Sequence, residues 1–179
     1  MPEQAAPLDD AAPPWPPLLA PATRFILHGN AAVRAAATAA WGVPFAEEAC
    51  RARLLGSRAT LWMGPDEYLL LDRAPAEAAG DTASGLERAM AGLDHALVDV
   101  SHRQVAVEIN GAHAGHILNG GCPLDLDLKE FPVGMCTRTL FAKADIVLWR
   151  TAADAFHVEM WRSFGDYVRA LLAEVARDC

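Results

Sequence analysis

No apolar stretch in this 179-residue chain approaches the roughly 20 residues needed to span a bilayer. The N-terminus likewise lacks a basic region followed by an apolar core, so a cytoplasmic location is expected. Cysteine is sparse: Cys50, Cys122, Cys136 and Cys179 show no CxxC spacing, and free thiols are expected. A glycine-rich phosphate loop is missing, since Gly111-Ala112-His113-Ala114-Gly115 and Asn119-Gly120-Gly121-Cys122 fit neither the dinucleotide fingerprint nor a P-loop. There is no GxSxG elbow, and Ser101 and His102, as neighbours on a strand, would point to opposite faces. Basic charge is also short. Fifteen Lys plus Arg against 23 Asp plus Glu leave a net charge of −8, which repels nucleic-acid backbones and anionic lipid.

What is present is a patterned globular chain. Hydrophobic residues make up 53%, although 36 of the 179 are alanine, so large side chains are fewer than that share suggests. The length fits one domain. Residues 1–22 contain seven of the twelve prolines and form a proline-rich arm, extended or disordered, and residues 23–179 form the domain. Two readings of Trp15 stand: an anchor for a partner surface, or a cover over its own domain.

Phe25–His28 reads as a strand, and Asn30 caps an alanine-rich helix that runs to Trp41 and stops at Gly42-Val43-Pro44. Ala59–Met63 and Tyr68–Asp72 flank Gly64-Pro65-Asp66-Glu67 as a hairpin. A loop over Ala74–Ser84 leads to a short helix at Gly85–Gly92. In Leu97–Ile109, Val98 and Val100 share one parity and Val105, Val107 and Ile109 the other, which predicts a bulge or turn at His102-Arg103 returning both sets to the core. A helix over Ala112–Leu118 should close in left-handed backbone at Asn119-Gly120-Gly121. Strands over Thr137–Ala142, Asp145–Arg150 and Phe156–Trp161 follow, then a helix capped by Ser163 carrying Phe164, Tyr167, Val168, Leu171, Leu172 and Val175 at helical spacing. Adjacent strand pairs between helices predict an α+β fold of mixed, largely antiparallel sheets with packed helices, in two loosely similar halves.

Several side chains are candidates for chemistry. His113 and His116 lie three apart on a helix, with Cys122 and Cys136 downstream as further ligands, but the spacing fits no established zinc pattern. Asp125 and Asp127 are a potential acid/base pair, or turn residues in a loop. Cys122 has no adjacent Lys or Arg to lower its pKa. On Phe156–Arg162, Phe156, Val158 and Met160 face the core and His157, Glu159 and Trp161 the other side. Trp161 and Arg162, with Trp149, Arg150, Trp62 and Trp15, are residue types enriched at interface hot spots, and form the candidate partner surface unless helices cover both sheet faces.

Four blocks in order carry a family resemblance: Trp62-Met63-Gly64-Pro65-Asp66-Glu67-Tyr68-Leu69-Leu70, Val98-Asp99-Val100-Ser101-His102-Arg103-Gln104, Gly120-Gly121-Cys122-Pro123-Leu124-Asp125-Leu126, and Trp161-Arg162-Ser163-Phe164-Gly165-Asp166-Tyr167. Together they resemble the gamma subunit family of heterotetrameric sarcosine oxidase over residues 24–175. The first two, with Gly111–Leu118, also look like the aminomethyltransferase (T-protein) folate-binding fold. The resemblance implies a non-catalytic assembly subunit, with alpha, beta and delta chains as partners. The complex would demethylate sarcosine oxidatively to glycine, giving hydrogen peroxide and either formaldehyde or, with tetrahydrofolate, methylenetetrahydrofolate. It further implies FAD, FMN and NAD on the alpha and beta chains, zinc on delta, and no cofactor or catalytic residue on this chain. Two alternatives stand beside it: a stand-alone folate- or pterin-binding domain with Asp99 as the acid facing the pterin, and the equivalent subunit of a related complex such as N-methylglutamate dehydrogenase.

Overall fold

The first half of the chain forms β1 (Thr23–Gly29), α1 (Ala31–Trp41), β2 (Ala52–Leu55), β3 (Arg58–Gly64), β4 (Glu67–Asp72), α2 (Thr82–Ala89) and β5 (His95–Asp99). The second half forms β6 (Gln104–Asn110), α3 (Ala114–Asn119), β7 (Cys136–Phe141), β8 (Ala144–Ala152), β9 (Ala155–Trp161) and α4 (Gly165–Ala176). This computed structural model describes residues 15–74 and 81–177. One sheet has the order β2-β3-β4-β1-β5 and the other β6-β9-β8-β7, with antiparallel pairing throughout. Substituting β6–β9 for β1–β4 in sequence turns β2-β3-β4-β1 into β7-β8-β9-β6, the order observed. The halves share one topology, and among the described residues the second half has no counterpart of β5.

Side-chain alternation sorts these elements into four layers. On β1, Phe25 and Leu27 face α1 and α2 in a core with Trp41, Tyr68 and Leu70, while Ile26 faces the second sheet. On β9, Phe156, Val158 and Met160 face α3 and α4 in a core with Phe141, Leu118 and Leu172. Between the sheets lie Leu61, Met63, Leu69, Leu71, Val147 and Trp149. The order is helices, sheet, sheet, helices. The sheets join at one corner, where Ala52 N donates to Gly134 O at 2.8 Å and Cys136 N to Cys50 O at 2.9 Å.

Local chemistry accounts for the element ends. Asn30 Oδ1 accepts from Ala32 N and Val33 N, and Gly42 at φ 82° takes the left-handed conformation that stops α1. The β3–β4 turn holds Asp66 at φ 58°, stabilised from outside by the Arg34 guanidinium. Strand β2, with Leu54 and Leu55 exposed on an edge, has no alternating apolar pattern and was not expected.

Other expectations need correction. The parity slip at His102-Arg103 is a turn that carries the chain from one sheet to the other, so Val98 is not core: it faces the inter-sheet side but is 52% exposed. Gly120 is right-handed, at φ −63°. Close packing explains these glycines, because a Cβ on Gly120 would lie 2.6 Å from Val175 Cγ1, and one on Gly121 2.8 Å from the Phe141 ring. Ser163 caps nothing, since Arg162–Phe164 form a 3-10 turn and α4 begins at Gly165. The helix expected over Gly85–Gly92 starts three residues earlier, at Thr82. The described part of the arm lies along β6: Leu18 bridges Val107, Leu19 N donates to Ala106 O at 2.8 Å, and Arg169 Nε of α4 donates to Pro16 O at 2.6 Å. The rest of the arm (1–14), the 75–80 part of the loop before α2, and Cys179 lie outside the described residues.

Gly121→Ala is expected to lower stability by about 1–3 kcal/mol, because the buried Phe141 ring must move. Gly85→Ala, within α2 with open space around it, should be neutral or stabilising by up to about 1 kcal/mol. Equilibrium urea unfolding of the two variants checks the contrast.

Candidate functional site

Directly opposed residues on antiparallel strands share a face, so the inward positions of the second sheet fall into rows. Glu108, His157, Trp149 and Cys136 make one; Ala106, Glu159, Val147 and Arg138 the next; Gln104 and Trp161 belong to the last. Continuing the Ile146–Met160 pairing by one residue sets Asp145 beside Trp161, and Leu140 pairs with Asp145 to complete that last row. The other sheet covers the first two rows except at their ends, where Glu108 is part-exposed and Arg138 exposed. At the last row the sheets leave a cleft of about 390 Å³, walled by Ile26, Met63, Leu69 and Val147.

Glu159 lies at the floor of this cleft, wholly buried. Arg24 Nε of the facing sheet donates to its Oε2 at 2.7 Å, and His157 Nε2 donates to its Oε1 at 2.8 Å. Burial pushes the Glu159 carboxyl upward, but the hydrogen bond and charge of His157, with the charge of Arg24, hold it below the ordinary carboxylate range. Arg24 also donates to Ala22 O at 3.0 Å. Nearer the rim, Arg138 of β7 forms a two-point ion pair with Glu67 of β4, and this bond is the first cause of the lowered pKa of Glu67. Both pairs bind one sheet to the other.

At the mouth, Trp161 is 46% exposed and the Arg103 guanidinium lies 5.4 Å from its ring centre. Arg162 fixes this corner by donating from Nε to His102 O at 3.0 Å and from its backbone to Arg103 O at 2.8 Å. Among the described residues Arg103 has no ion-pair partner. Gln104, 7% exposed, keeps an unpartnered buried Oε1.

The structure separates the other residues of the candidate partner surface. Trp149 and Arg150 are not exposed. Trp149 is enclosed between the sheets beside His157 with Arg73 over its ring, and Arg150 turns into the α3 side to donate to the Leu126, Phe131 and Ala153 carbonyls. Their strand has a buried layer on each side, which leaves neither face for a partner. Trp62 packs on the α1 side, half-buried. Trp15, 41% exposed, lies near Glu108 and Asn110, at the opposite end of β6 from Trp161 and about 20 Å away at strand rise. Only Trp161 and Arg162 of the set share a site. Sequence reasoning missed Arg103, Leu140 and Val98; the parity break at His102-Arg103 was the signal that the chain turns a corner there.

The remaining candidates have structural partners. Asp99 Oδ1 accepts from Ser101 N at 2.8 Å, and Ser101 Oγ accepts from Arg24 N at 2.9 Å, so both shape the corner after β5. Asp125 and Asp127 each accept from a backbone N–H two residues on. His113 and His116 are exposed, while Cys122 and Cys136 lie in the cores on opposite faces of the second sheet. Among the described residues no group of three His, Cys, Asp or Glu side chains could hold a metal ion. Burial pushes the Cys136 thiol up to about 12. Among the described residues no helix is long and apolar enough to cross a membrane.

Comparison with known proteins agrees with this geometry. The family model for the sarcosine oxidase gamma subunit family matches residues 28–178. The chain belongs to this family. A sarcosine oxidase gamma subunit of Corynebacterium sp. (strain U-96) is 32% identical over 139 residues, 78% of this chain and 64% of that protein. One from Corynebacterium sp. (strain P-1) is 30% identical over 109 residues, 61% of this chain and 52% of its own length, and one from Arthrobacter sp. is 32% identical over 100 residues, 56% and 47%. The matched parts thus span about half to two thirds of these relatives. A chain of heterotetrameric sarcosine oxidase from Corynebacterium sp. U-96, solved in complex with pyrrole 2-carboxylate, superposes with a TM-score of 0.82 at 26% identity, over 90% of this chain and 82% of that one. Glycine cleavage system aminomethyltransferase T of Bartonella henselae shares the fold, with a TM-score of 0.63 at 13% identity over 87% of this chain and 44% of that one. The gamma-family chain therefore has a T-protein-like α+β fold.

Glu159→Gln is expected to cost about 3–5 kcal/mol, since it leaves Arg24 a buried cation without its counter-charge. The sign with pH follows from the depressed folded pKa. The stability that Glu159 contributes is fully present above its unfolded value near 4.5 and is lost as pH falls through the folded value. Urea unfolding between pH 7 and pH 3 should show a steeper acid-side loss in the wild type than in the variant.

Proposed function

We propose that this chain is a non-catalytic assembly subunit of a heterotetrameric, flavin-dependent sarcosine oxidase, working in the cytoplasm beside alpha, beta and delta chains. The observation that carries the proposal is the superposition on a chain of that complex over nine tenths of this one. The engagement of the reactive side chains supports it: Ser101, Asp99, Asp125 and Asp127 hold turns, and Glu159 holds the sheets together. On this reading the oxidation of sarcosine to glycine takes place on other chains. FAD, FMN and NAD belong to the alpha and beta chains and zinc to delta, with tetrahydrofolate as the acceptor that turns the released one-carbon unit into methylenetetrahydrofolate. This chain contributes a rigid body that those chains need in order to assemble.

The test is to purify the tagged chain from its own host during growth on sarcosine, measuring native mass and visible absorption of the same fraction. A yellow assembly with three further kinds of chain, oxidising sarcosine while the isolated tagged chain does not, is expected. A colourless lone chain, or a lone chain that oxidises sarcosine by itself, overturns the proposal.

A further inference from the structure

We infer that the open end of the inter-sheet cleft is the seat of a partner-chain segment that inserts an apolar side chain between the sheets and carries an acidic residue beside it. The inference rests on the assembly reading above and locates one of its contacts.

The residues at this end face the wrong way for a finished surface. Trp161 and Leu140 occupy inward positions of the second sheet, and Val98 is paired with inward-facing Ile26 on the first. In a closed sandwich these positions would be core. Here they are 46%, 45% and 52% exposed; Trp161 and Leu140 line the 390 Å³ space walled by Ile26, Met63 and Leu69, and Val98 is the strand partner of Ile26. The last row crosses four strands, about 15 Å at the usual strand spacing, a length suited to a short stretch of polypeptide.

Charge chooses the occupant. Arg103 is held over Trp161 and has no ion-pair partner among the described residues, so the β6 side of the mouth offers a cation to a carboxylate. Asp145, on the β8 side of Trp161, likewise has no ion-pair partner among the described residues. Gln104 lines the same cleft and keeps a buried Oε1 without a hydrogen-bond partner. The mouth therefore runs from positive to negative across an apolar centre. A segment with an acid at one end and a base at the other, flanking an apolar residue, satisfies both charges in one direction only. Tryptophan and arginine side by side at the centre are also the residue types that dominate binding energy at interfaces.

The experiment compares wild type with Arg103→Glu, Trp161→Ala and, as an apolar surface change elsewhere, Leu55→Ala, each expressed as the tagged chain in its own host. The fraction of chain in the flavin-containing assembly is followed by native mass over a dilution series. Arg103→Glu and Trp161→Ala should weaken assembly at least about tenfold, and Leu55→Ala should leave it unchanged. Because Arg103 is exposed, its variant should melt as the wild type does, which separates lost docking from lost folding. If wild type assembles and both cleft variants assemble with the same dilution profile, the cleft is not the seat and the inference fails, while the assembly reading stands. If wild type itself forms no assembly, both fail.

Discussion

The contact between Arg24 and Glu159 is the constraint around which the two halves of this molecule are arranged. Each half builds a sheet with helices on its outer face, and each must cover its inner face with the other. Apolar packing alone does not fix how two sheets slide past one another, since many registers bury similar area. A carboxylate buried without exposure, bonded by an arginine from the opposite sheet and a histidine two residues away on its own strand, tolerates only one register. Any other would strand charges away from water. The Glu67–Arg138 pair repeats the device nearer the rim, in a more hydrated setting where it contributes less.

The shared topology of the halves makes the difference between them informative. The first half has β5 beyond β1, whereas among the described residues the second half has no strand beyond β6. The arm residues Leu18 and Leu19 cover part of that bare edge, against Ala106 and Val107, but stop short of Gln104. Val98, on the edge strand β5, is half-exposed although its parity is that of core residues. The cleft lies between the sheets along the last row of the second one and is not carved into either.

The sequence makes the elements legible wherever local chemistry decides them. Asn30 and Gly42 bracket α1, Gly64-Pro65-Asp66 turns the hairpin, and the alternation in β9 separates Phe156, Val158 and Met160 from His157 and Glu159 as observed. Tertiary decisions leave weaker traces. A parity break at His102-Arg103 reads equally as a bulge within a sheet or a passage between sheets, and only the presence of a second sheet selects the passage. Two glycines in a row read as a left-handed helix end, yet their cause lies 20 and 55 residues away, in Phe141 and Val175. Trp149 and Arg150 illustrate the same limit: the sequence shows residue types suited to an interface, but burial depends on the sheet and loops that close over them. The site residues carried by the corner, Trp161 and Arg162, were identifiable because the strand pattern ends there.

The bonding state of the cleft residues separates its floor from its mouth. Glu159, the acid at the floor, is wholly buried, and its two oxygens accept from Arg24 of the facing sheet and from His157 of its own strand. It is shut off from solvent, and Asp99 Oδ1 accepts from Ser101 N in the turn after β5. The groups that keep spare bonding capacity at the mouth are the Arg103 guanidinium and the exposed indole of Trp161. Capacity at the rim with a committed floor favours something that approaches from outside and spans the opening. That is the geometry of a partner's side chain seated at an interface, and it follows from where the unpaired groups lie and not from the volume of the space between them.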